Sequence, residues 1–73
     1  MQVGELVIRR VKGMTDHRLR SAVEQRERLG FGVIISKYRA GAPEHDCISV
    51  YYPKIGKIYD IAESLVEVIG QKR

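Results

Sequence analysis

Glu44, His45 and Asp46 set a histidine between two carboxylates, with Cys47 directly behind it. A histidine so flanked can move a proton near neutral pH or ligate a metal. The cluster follows Gly41, Ala42 and Pro43, however, and that is turn chemistry, so it reads as a solvated hairpin loop. Two histidines and one cysteine do not make a zinc framework, and a single cysteine allows no internal disulfide. Nothing around Cys47 would activate its thiolate. Gly30 and Gly32 precede a strand instead of joining a strand to a helix, so they are not a phosphate loop, and His17 stands alone near a helix start. The expectation is a non-enzymatic protein with no catalytic residue, no cofactor and no metal.

Binding chemistry is better represented. From Phe31 to Tyr52, two β-rich segments flank a Gly, Pro and acidic loop, and Lys37, Tyr38, Arg39, Tyr51 and Tyr52 lie on them. Alternate strand residues face opposite sides. With Ile48, Val50 and Tyr52 turned to a core, the open face would display Ile34, Tyr38, Ser49 and Tyr51. Arg10 and Lys12, or alternatively Arg9, would join them from the first strand. Tyrosines flanked by cations are what single-stranded nucleic-acid binders use, because every base offers a stacking face and every nucleotide a charge. The same tyrosines suit a protein interface, or simply a pleated half-buried surface. The expected nucleic-acid contacts are Arg9, Arg10, Lys12, Lys37, Tyr38, Arg39 and Tyr51, in a small binding or regulatory protein. The alternative is a protein-interaction module, an adaptor or inhibitor, that acts as a homodimer or docks on a larger protein.

Charge bears on the same question. Residues 1–40 hold nine Lys/Arg against four acids, and the rest of the chain is near neutral. A one-sided excess suits an anionic partner, although a net charge of +4 also serves solubility alone.

These residues need elements to position them. Seventy-three residues make one domain, 1–73, and a chain this short leaves much of its apolar surface wet. Without disulfide or metal, association is the remaining stabiliser, and a homo-oligomer is expected. The apolar run Leu6, Val7, Ile8 is too short for a secretory signal or a membrane span, which suggests a cytoplasmic protein with no membrane partner.

Glu5 to Lys12 reads as a strand stopped at Gly13. Thr15 is placed to cap a helix that Met14 staples onto Leu19 and Gly30 ends. Strands follow at Phe31 to Arg39 and Cys47 to Tyr52, joined as an antiparallel hairpin by a seven-residue connection, with Pro53 ending the second. Ile58, Ile61, Ala62, Leu65 and Ile69 recur at a helical period, which predicts a second helix from Lys57 to Ile69 before Gly70. The order β-α-β-β-α implies an α+β fold, a two-layer sandwich with both helices on one face of a small, mostly antiparallel sheet. That element order is similar to that of double-stranded-RNA-binding domains and their small toxin relatives, a likeness of topology alone that brings no functional residue with it.

Within the first helix, Asp16, Arg20, Glu24 and Arg28 alternate in sign at i,i+4 spacing, which stabilises an exposed helix and spends its charge on itself. Arg26 falls among Leu19, Ala22, Val23 and Leu29 on the apolar side, where its stem can lie along the core edge. On the second helix, Tyr59, Val66 and Val68 widen the apolar face beyond one sheet's need, and they are the expected oligomer contact.

Overall fold

A computed structural model describes residues 1–11 and 16–70 of the chain, with the side chain of Asp16 excepted. It has one helix and five strands: β1 (Leu6–Arg9), α1 (Asp16–Leu29), β2 (Gly32–Ala40), β3 (His45–Tyr52), β4 (Lys57–Ala62) and β5 (Val66–Gly70), with a short 3₁₀ turn, Glu63–Leu65, between the last two. All pairings are antiparallel, and the strands form one sheet in the order β4-β3-β2-β1-β5. The fold is small and α+β, as expected. The second helix and the β-α-β-β-α order are not found, so the topological likeness to double-stranded-RNA-binding domains does not extend to the structure.

The correction has a physical reason. Ile58, Ile61, Ala62, Leu65 and Ile69 do fall at helical spacing, but the segment is rich in β-branched and aromatic residues that pack well on a pleated surface. A four-residue link, Pro53 to Gly56, turns the chain back onto β3. The amide of Gly56 donates to the carbonyl of Tyr52 at 2.8 Å, and Gly56 takes φ 64°, a left-handed conformation that favours glycine. Tyr59, Val66 and Val68 therefore share no helical margin. Tyr59 stands on β4, Val66 is in the core, and Val68 is exposed on β5.

The first half matches its expectation more closely. The helix ends at Leu29, where Gly30 adopts φ 67° and its amide closes the last turn on the Arg26 carbonyl at 2.9 Å. Met14, Thr15 and Gly13 lie outside the described residues. The first strand is shorter than Glu5 to Lys12, and the β2–β3 connection is four residues, Gly41 to Glu44, not seven.

The sheet cannot be flat. Five strands laid side by side would set the edges roughly 19 Å apart, yet β4 and β5 are those edges and only Glu63–Leu65 joins them, a span of at most about 14 Å. The sheet therefore curls until its two edges approach each other at that turn. Its inner face carries Val7, Ile34, Ile48, Val50, Tyr52 and Val66, and Leu29 of α1 completes the buried cluster. Gly32 lies in this face because a Cβ there would fall 2.2 Å from Val50 Cγ1 and 3.0 Å from the Tyr52 ring.

Candidate binding surfaces

The site residues divide according to an irregularity in β2. Ile34 pairs with Val50, but the next pair along is Ser36 with Ser49, so Ile35 is a bulge residue. The extra residue lets Ile34 point inward while Ile35, Ser36 and Tyr38 turn outward. Ile34 is thus fully buried, a correction to its expected place on the open face, and Ile35 is exposed instead. Sequence patterning alone carries no mark of this slip.

The outer face is built in cross-strand rows. Leu6, Val33, Tyr51 and Ile58 form one row over four strands, Ser36, Ser49 and Asp60 the next, and Tyr38, Cys47 and Ala62 a third. Tyr38 and Tyr51 do share this face with Ser49, as expected. Ile35, Tyr38, Tyr51 and Ile58 are exposed, Ile58 the most at 57 %. The carboxylate within the rows is Asp60, which accepts a hydrogen bond from Ser49 Oγ. Partial desolvation by its neighbours first, then the negative charge of Asp60 and that of Cys47 once ionised, push the Tyr38 hydroxyl above its ordinary pKa. Cys47, in the third row, is a buried free thiol.

Three of the expected cations, Arg9, Lys37 and Arg39, lie elsewhere. Lys37 pairs with Ile48 and Arg39 with Asp46, so both project from the opposite side of the hairpin to Tyr38. Arg39 meets Asp46 at 3.6 Å and Glu44 at 3.9 Å, pairs so solvated that they contribute little. Arg9 points to the helix side: its Nε donates to Gln25 Oε1 at 3.0 Å and its Nη1 to the Leu65 carbonyl at 2.8 Å. Arg10 is exposed, and its amide donates to the same Leu65 carbonyl at 2.9 Å. Lys12 lies outside the described residues. Arg9, Lys37 and Arg39 are therefore on other surfaces than Tyr38 and Tyr51.

The helix was expected to neutralise itself. Among the described residues the ion pairs include none within α1, and its one pair to the sheet joins Arg26 to Glu67 of β5 at 3.0 Å. Arg26 is half-buried, as its position among apolar residues implied, and its Nε makes no hydrogen bond. Lys54 Nζ donates to the carbonyl of Glu27 near the end of α1, where a cation meets the negative end of the helix dipole.

A groove of about 430 Å³ is lined by Arg10, His45, Asp46, Glu63 and Ser64, but among the described residues no hydrogen bond joins His45 to Asp46, Glu63 or Ser64. No group of three His, Cys, Asp or Glu side chains is placed to hold a metal among the described residues. Nor is any described helix long and apolar enough to cross a membrane. No family model, curated protein or solved structure matches the chain.

Proposed function

We propose that the chain is a non-enzymatic protein-interaction module whose contact surface is the outer face of the sheet, and that a second copy of the chain occupies it. One observation carries this reading. Val33, Ile35, Tyr38, Tyr51 and Ile58 make an apolar and aromatic patch across three strands, and Lys37 and Arg39, which could have made it a platform for bases, project from the other side. Aromatic residues with few charges are the composition of interface cores. A patch with Asp60 as its single charge can also meet its own copy about a two-fold axis without gathering like charges, provided the two carboxylates are offset. Ile58 stands on β4, an edge strand with one free row of backbone donors and acceptors, a ready template for pairing with another strand.

The test is sedimentation equilibrium at roughly 100 μM, where a micromolar dimer is largely formed. The wild-type chain should sediment as a dimer and Ile58→Asp as a folded monomer. A wild-type monomer at that concentration, or a dimer indifferent to Ile58→Asp, overturns the reading.

A second reading, nucleic-acid binding, keeps one observation in its favour: Arg9 and Arg18 open onto the same notch on the helix side of the molecule. Binding there would show a steep salt dependence from counterion release, which an apolar interface lacks.

A further inference from the structure

A notch of about 290 Å³ opens between β1, the first turns of α1 and the 3₁₀ turn, lined by Arg9, Arg18, Ser21, Ala22 and Leu65. Its volume is below that of most ligand pockets and suits one charged group. Two guanidinium groups and a hydroxyl line it, and no carboxylate does among the described residues.

Arg9 is fixed before any ligand arrives. Its Nε donates to Gln25 Oε1 at 3.0 Å, and its Nη1 to the Leu65 and Arg10 carbonyls at 2.8 and 3.2 Å. These acceptors are neutral, so they orient the guanidinium, and among the described residues no carboxylate pairs with it. Nη2 makes no hydrogen bond among the described residues. Arg18 and Ser21 stand three residues apart on α1 and so occupy one side of it. Two like charges in one notch repel, and an anion between them removes that cost. A carboxylate would bring one charge and two acceptor oxygens. A phosphate brings nearly two charges and more oxygens than one fork can use.

The geometry points to this notch as a binding site for the phosphate group of a ligand, with Arg9 Nη2, the Arg18 guanidinium and Ser21 Oγ as donors. Because Arg9 is already ordered, little side-chain freedom is lost on binding. The site lies on the helix side and does not depend on the outer face, so either can fail without the other.

The experiment is a titration of the ¹⁵N-labelled chain with inorganic phosphate, against chloride at matched ionic strength so that general screening cancels. Amides of Arg9, Arg18, Ser21, Ala22 and Leu65 should shift together and saturate. Arg18→Gln should weaken binding by about tenfold or more, the worth of a charge-assisted hydrogen bond. Arg20→Gln removes the same charge from outside the notch and should change affinity by less than about twofold. Arg9→Gln also removes the anchors on Gln25 and Leu65 and can unsettle folding, so Arg18→Gln is the deciding variant. Absence of saturation up to about 50 mM phosphate, far weaker than a built site gives, overturns the proposal. So does an equal loss in Arg18→Gln and Arg20→Gln. A short single-stranded oligonucleotide and a nucleoside 5′-monophosphate then separate the sources. An oligonucleotide that binds the same amides more tightly, and is displaced by phosphate, assigns the site to a nucleic-acid backbone. No gain over phosphate assigns it to a small phosphorylated ligand.

Discussion

Tyr51 and Tyr52 are neighbours on β3, and the sheet gives them opposite work. Tyr52 is 1 % exposed on the inner face, tilted against Tyr59 with ring centroids 5.9 Å apart, while Tyr51 is 38 % exposed in the outer row between Val33 and Ile58. The same side-chain type supplies core packing at one position and contact surface at the next. The difference teaches that in so small a chain each strand must serve both faces. A residue's contribution then follows from its side of the sheet and not from its chemistry.

The sharpest way to break that comparison is to truncate both rings. Tyr52→Ala should cost about 3 to 5 kcal/mol of folding stability, as large aromatic deletions in cores do. Tyr51→Ala should cost less than about 1 kcal/mol and act on self-association instead. Chemical denaturation of both variants measures the gap, and equal losses would mean that the two faces are not distinct. A smaller effect is expected where the inner face is overfilled. Gly32→Ala places a methyl 2.2 Å from Val50 Cγ1, so Val50 or the strand must shift, at a cost of about 1 to 3 kcal/mol.

The mildest probe uses pH. Burial holds the Tyr52 hydroxyl above its usual pKa, and Arg9 partly offsets this. An acid whose folded pKa is raised contributes stability that is fully present below the unfolded value, near 10, and is lost as pH rises through the folded value. Thermal melts of the wild type should therefore fall above about pH 10, and Tyr52→Phe should flatten that fall. An alkaline limb unchanged in Tyr52→Phe would assign it to other groups.

How much of this was legible depended on whether a local pattern had one physical cause. The helix was readable because its apolar side and Gly30 point to the same element, and β3 because Ile48, Val50 and Tyr52 alternate without interruption. β2 was half readable, since the bulge at Ile35 shifts its parity midway and turns Ile34 inward. The C-terminal segment misled because positions 58, 61, 62, 65 and 69 satisfy a helical period, while the Pro53 to Gly56 link and the β-branched content carried the better signal. The cations were half readable, since strand alternation alone sets Lys37 and Arg39 on the other side from Tyr38. Arg9 shares the inner side with Val7, two residues before it, and no local spacing says which parity of β1 the helix covers.

The Arg9 side chain and the Leu65 carbonyl it holds are 56 residues apart, and β1 beside them pairs with β5, the last strand. A contact of that reach has a kinetic consequence. Pairing with β2 closes one edge of β1, but the other stays open until β5 arrives, so this closure adds a long-range step to folding. During synthesis β1 waits until β5 has emerged. Until then its free edge is exposed, and the interval before closure is when an unfinished chain is most open to joining another.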